Sequence, residues 1–151
     1  MDGCFDFLRR IFFFKDLSDE EIVLVADACH RERHSSGDIL FREGDTADRC
    51  YIVLDGRVEV WTDYDEAKPS LQGIHGPGHF FGELALLDEL LQPATVVARE
   101  NTHVLYLYRK DFRNLVLTRS SIALSVMISI SLMLRSSKEV FQEDIRKRNV
   151  E

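Results

Sequence analysis

Cysteine is scarce and unpatterned in this chain. Cys4, Cys29 and Cys50 are odd in number, far apart and free of any Cys-x-x-Cys pair, which argues against a disulfide framework and a structural zinc site. They suit a reducing compartment, and a cytoplasmic location is expected. Three prolines and eight glycines in 151 residues exclude a collagen-like or linker-dominated chain. Positive charge is short as well. With 19 basic against 26 acidic residues the formal net charge is −7, so bulk electrostatics give no reason to expect binding to nucleic acid or an anionic membrane.

A long apolar run is also missing. The longest, from Ile122 to Leu134, is interrupted by Ser125, Ser129 and Ser131 and is too short to cross a bilayer. The N-terminus, MDGCFDFLRRIFFF, sets acids and two arginines where a signal peptide needs a basic start and an unbroken apolar stretch. Gly3 does not directly follow Met1, so the myristoylation pattern is absent. Catalytic groupings are lacking: Ser120, Ser121 and Ser125 have no neighbouring His–Asp pattern, and no acid–base pair suggests an enzyme. His75 and His79 stand four apart, but Gly76, Pro77 and Gly78 between them prevent the helix that would align them. The pair reads as part of a turn, and no metal site is expected.

What is present is a foldable chain, 45% hydrophobic and 30% charged, sized for one domain, 1–151, with one core. From Phe5 to about Arg33 the pattern is helical, with Phe5, Leu8, Phe12 and Phe13 at helical spacing. Ser18 with Glu21 three residues on forms a capping box before Ile22 and Val25. Residues 1–36 are therefore assigned to N-terminal helices. From 37 to 108 the period changes to two. Turn residues precede Ile39–Phe41, Tyr51–Leu54 and Val58–Trp61, and further strands are expected at Leu71–Ile74, Ala94–Ala98 and Val104–Tyr108. Asp55-Gly56 between alternating runs predicts a hairpin. Roughly eight short strands at this spacing make an antiparallel barrel or jelly roll. Residues 109–151 are helical again: a short helix over Asp111–Leu117, then a long one capped at Ser120 or Ser121. The fold class is α+β, a β-roll with N-terminal helices and a long C-terminal helix.

One segment carries chemistry. In Phe80-Phe81-Gly82-Glu83-Leu84-Ala85-Leu86, glycine permits an unusual backbone and the following residues can form a helical turn. Its free N–H groups would suit an anion such as phosphate. Glu83 cannot serve a phosphate and would accept hydrogen bonds from hydroxyls, as a ribose 2′-OH offers.

With Gly37-Asp38, Glu43-Gly44-Asp45 and the run Tyr51 to Val58, these residues resemble the cyclic-nucleotide-binding domain of kinase regulatory subunits, gated channels and bacterial catabolite-activator-type regulators. The most specific match is the phosphate-binding cassette, Phe81 to Leu86, closed by Ala94-Thr95-Val96 within 80–96. The resemblance implies a non-enzymatic sensor without a resident cofactor. Its ligand, cyclic AMP or another cyclic nucleotide, would be held by Gly82, Glu83, Leu84, Ala85, Gln92, Ala94 and Thr95. Glu83 would hold the ribose 2′-OH and the Ala85 N–H would face the phosphate.

The chain departs from the family where an arginine and then a small residue are expected: here stand Gln92 and Pro93. Gln92 cannot neutralise a phosphate and Pro93 has no N–H. Losing a charge-assisted contact and a neutral donor costs about 1.5–3 and about 1 kcal/mol, together on the order of a hundredfold to a thousandfold in affinity. The alternative reading is a degenerate domain acting as a dimerisation or protein-interaction module.

The last helix resembles the dimerisation helix of catabolite-activator-type regulators. Ile122, Val126, Ile130 and Leu134 share one face, and Leu124, Ile128 and Leu132 another. Two apolar faces need two covers: the barrel, and a partner's copy of the same helix over Ile122–Val140, giving a homodimer. A lid over the pocket within one chain is the competing role. Those regulators continue into a helix-turn-helix domain, so DNA reading by these 151 residues alone is not expected. The remaining features have plain readings. Cys50 is a small buried residue, Phe12–Phe14 is core, and Arg146–Arg148 is a helix end favourable to the dipole.

Overall fold

The computed structural model of the chain describes residues 4–11 and 14–150; Phe12 and Phe13 lie outside the described residues, as do the side chains of Glu83 and Leu84 and those at 133, 137–141, 144 and 150. Helix α1 (Cys4–Arg9) is followed by α2 (Asp19–Ala28). The capping box is present in full. The Glu21 N–H donates to Ser18 Oγ at 3.2 Å, and the Ser18 N–H donates to Glu21 Oε1 at 2.9 Å. Glu21 also accepts a hydrogen bond from the Ser121 hydroxyl, 100 residues on, so one carboxylate joins the start of α2 to the start of the last helix.

The helical pattern is shorter than its periodicity predicts. Helix α2 stops at Ala28, where the Cys29 N–H bonds back to the Val25 and Ala26 carbonyls. His30–His34 then forms strand β1, paired antiparallel with the final strand at 102–108. Ladder hydrogen bonds to a waiting edge override the local helical signal in HRERH.

The strands that follow are β2 (Ile39–Phe41), β3 (Thr46–Ala47), β4 (Arg49–Asp55), β5 (Val58–Thr62), β6 (Ser70–His75), β7 (Phe80–Phe81), β8 (Leu90–Leu91), β9 (Thr95–Ala98) and β10 (Thr102–Tyr108). They form two four-stranded antiparallel sheets, β1-β10-β4-β7 and β2-β9-β5-β6, and the small ribbon β3-β8. The strands that the sequence reading did not name are β1, in the region assigned to helices, and the two-residue pieces β3, β7 and β8.

Asp55-Gly56 does not make a hairpin. Strand β4 belongs to one sheet and β5 to the other, so the turn carries the chain around a corner. Gly56 is required there. Its φ is +88°, and a Cβ would lie 2.5 Å from the Asn101 carbonyl oxygen. Close approach of two corners, rather than strand pairing, explains the glycine.

Two apolar clusters result. One lies between the roll and the helices and holds Leu8, Phe14, Ile22, Val25, Cys50, Ile52, Leu105 and Ile122; Cys50 is fully buried there. The other fills the roll and is built on Tyr51, Val53, Val58, Phe81, Val96 and Val104, with Phe41 and Tyr106 against it. Alternation along β4 sends Ile52 to one cluster and Tyr51 and Val53 to the other.

After β10 come α3 (Arg109–Thr118) and α4 (Ser120–Val150). At 31 residues, α4 is about 46 Å long. Ile122 and Val126 are buried on one face, while Leu124, Met127, Ile128 and Leu132 on the other are exposed. Leu134 is also exposed, although the spacing places it with Ile122. Among the described residues no single helix is long and apolar enough to cross a membrane.

Candidate functional site

The chain leaves the roll at Phe81, whose ring stacks on Tyr51 with centroids 5.3 Å apart and planes 11° from parallel. Gly82 follows with φ +78°; a Cβ there would sit 3.2 Å from the Arg49 carbonyl oxygen. A single 3-10 turn, Glu83–Leu86, comes next. The segment is closed at its far end by backbone. The Gln92 N–H donates to the Asp45 carbonyl at 2.7 Å, and the Gly44 N–H donates to the Gln92 carbonyl at 2.8 Å. Asp45 in turn accepts the Arg42 N–H, which explains the Glu43-Gly44-Asp45 motif as the partner of this closure.

Beneath the segment lies a cavity of about 330 Å³. Its walls are Phe41, Val60 and Val96 from one sheet, Phe81, Gly82 and Ala85 from the start of the segment, and Leu90, Leu91, Gln92, Pro93 and Ala94 from its end, with Ala47 of β3. The position and volume are those of a small-molecule site.

Four of the seven expected site residues, Gly82, Ala85, Gln92 and Ala94, meet at this cavity. Glu83 and Leu84 are in the 3-10 turn, and their side chains lie outside the described residues. Thr95 is buried but not in the wall, and its hydroxyl accepts the Glu43 N–H at 2.9 Å. The Ala85 N–H is engaged inside the turn, donating to the Gly82 carbonyl at 3.0 Å. Sequence reasoning named Val96 only as part of the segment's closure and missed the walls from Phe41 and Val60.

No described residue of the cavity wall is charged. Arg49 and Arg99, the nearby arginines in sequence, face other partners. Arg49 Nε donates to Asp48 Oδ1 at 2.8 Å, and its guanidinium lies over the rings of Tyr106 and Tyr108. Arg99 pairs with Glu59 at 3.7 Å. Arg109, at the start of α3, does touch the segment: its Nη1 donates to the carbonyls of Ala47 (3.0 Å), Asp88 (3.2 Å) and Ala85 (3.4 Å). One guanidinium thus joins the 3-10 turn to the helices. Partners 24 and 62 residues away leave no local trace in sequence.

The roll, the glycine-led turn and the cavity beneath it define a class of regulatory ligand-binding domain, and comparison with known proteins gives the family. Residues 31–119, more than half of the chain, match the model of the cyclic nucleotide-binding domain. The chain belongs to that family.

It is 30% identical over 124 residues to the cyclic AMP receptor protein of Thermus thermophilus, covering 82% of this chain and 57% of that one. To the cAMP-dependent protein kinase regulatory subunit of Candida albicans it is 34% identical over 111 residues, 74% of this chain and 23% of that one. The chain therefore spans little over half of the first of these relatives and about a quarter of the second. Among solved structures, the N-terminal domain of a transcriptional regulator from Streptomyces coelicolor superposes with a TM-score of 0.82 at 29% identity, covering 90% of this chain and 95% of that one. The Thermus thermophilus catabolite activator protein gives 0.72 at 28%, covering 87% and 62%.

At the end of the roll beyond Phe81, His75 and His79 stack face to face with centroids 3.7 Å apart and planes 8° from parallel. The turn between them brings the rings together without a helix. Burial first, and His75 second, hold His79 below its ordinary pKa of 6.5; burial and then Arg33 and Arg31 do the same to His103. A depressed folded-state value means the unfolded chain binds more protons, so this stability is complete above about pH 6.5 and is lost as pH falls through the folded values. Glu21 is lowered by its Ser121 bond and acts only below its ordinary 4.5, outside this window. Melting temperatures should fall between about pH 7.5 and about pH 5.5, and His79→Phe should remove part of that slope, leaving the share due to His103. An unchanged slope in the variant would contradict the assignment.

Proposed function

We propose that the chain is a non-enzymatic, cytoplasmic regulatory domain that senses a small molecule in the cavity beneath residues 80–96. It relays occupancy through α3 and α4. The observation that carries this reading is the Arg109 contact: the turn that would close on a ligand and the first residue of the output helices share one guanidinium. A ligand that shifts the turn must disturb these bonds, so the two states differ at α3.

Membership of the family supports a cyclic nucleotide as ligand, bound weakly because Gln92 and Pro93 replace a cation and a donor. A second reading, a domain without nucleotide that serves as a dimerisation module, is favoured by the uncharged described wall. Calorimetric titration with cyclic AMP and cyclic GMP to millimolar concentration separates the two. The first predicts weak, saturable binding at one site per chain, and a gain of about ten- to a hundredfold in Gln92→Arg. Flat traces for both nucleotides, in the parent and the variant alike, would remove the cyclic nucleotide as ligand.

The exposed face of α4 supports a two-fold dimer. Leu124, Met127, Ile128 and Leu132 recur at helical spacing, and a second copy would bury them against themselves. Net charge argues against nucleic-acid binding by this region alone. Sedimentation should give a dimer at micromolar concentration, and Leu124→Asp, at an exposed position, should give a folded monomer. A parent chain that sediments as a monomer would refute the interface.

A further inference from the structure

We propose that the cavity beneath residues 82–94 takes an uncharged, largely apolar small molecule carrying one hydrogen-bonding group for Gln92. This deepens the preceding reading and rests on its premise that the cavity is the ligand site. Phe41, Val60, Phe81 and Val96 supply the walls. Leu90 and Leu91 are apolar residues left exposed at its edge.

Among the described residues, the arginines that come near this segment are engaged, Arg109 with the carbonyls of Ala47, Ala85 and Asp88. Residues 82–94 contain three acids, Glu83, Asp88 and Glu89, and no lysine or arginine. The arginines near the cavity in sequence face acids elsewhere: Arg49 with Asp48, Arg99 with Glu59, and Arg42 with Asp65 at 2.6 Å. Two backbone donors of the segment are also engaged. The Ala85 N–H is bonded to Gly82, the Gln92 N–H to Asp45, and Pro93 has none. A buried anion without a counter-charge or donors loses its hydration without replacement.

A neutral ring system gains instead from aromatic and branched walls. Gln92 is the polar side chain among the described lining residues, and it is buried. Its amide both donates and accepts, so it can orient a hydroxyl or carbonyl without requiring charge.

A matched pair of probes tests this with the whole chain: 1-naphthol and 1-naphthyl phosphate, which share one ring system and differ in charge. Calorimetry should show saturable 1-naphthol binding at one site per chain, with affinity about tenfold or more above that of the phosphate. Leu91→Ser, at the exposed edge where folding is not at risk, should weaken 1-naphthol severalfold. Gln92→Arg should narrow or reverse the preference. Equal or tighter binding of 1-naphthyl phosphate by the parent chain would overturn the inference. Absence of 1-naphthol binding together with saturable cyclic AMP binding would overturn it and leave the sensor standing. No binding of 1-naphthol, its phosphate or cyclic AMP would overturn both.

Discussion

Phe81 stacked on Tyr51 inside the roll fixes where the chain departs from its sheet, and with it the place of everything that follows. The two rings, with Phe41 beside them at 5.5 and 5.9 Å, fill the space between the sheets as far as the start of the cavity. Beyond them the wall is made largely of small or aliphatic groups, Gly82, Ala85, Ala94 and Val96 among them, with the Gln92 amide, so a cavity remains where an aromatic residue could have filled it. The turn above is held at three points. Gly82 passes close over the Arg49 carbonyl, Arg109 collects the carbonyls of Ala85 and Asp88, and Gln92 is bonded by its backbone to Gly44 and Asp45. Aromatic packing sets the floor, and backbone hydrogen bonds set the roof.

This arrangement separates two properties that are easily merged. The backbone of the site has positive φ at Gly82, a short helical turn, and closure against the Gly44 turn. Its electrostatics are a separate property. Where a buried phosphate would need a cation, the described wall offers a neutral amide and a proline. Arg109 ties the turn to α3, and the proposed relay would act through that contact whichever ligand moved the turn.

Much of this was legible in the sequence because the signals were local. The Ser18–Glu21 capping box, the turn glycines and the short helical turn after Gly82 each depend on neighbours a few residues away. What was not legible depends on distant partners. His30–His34 becomes a strand because β10 offers an edge, Gly56 turns a corner because Asn101 crowds it, and Arg109 finds three carbonyls from separate elements. The histidine pair shows the two together. Gly76-Pro77-Gly78 correctly excludes a helix, yet the turn it forms still brings the two rings into contact.

The central claim is that the cavity beneath the turn is apolar and uncharged, and xenon reports that property directly. A dry cavity lined by aromatic and aliphatic groups binds xenon, whereas a polar one holds ordered water. Crystals grown from a sulfate-containing solution and pressurised with xenon should show a xenon peak among Phe41, Phe81 and Val96. A sulfate ion or a cluster of bonded waters in that space, with no xenon, would contradict the account.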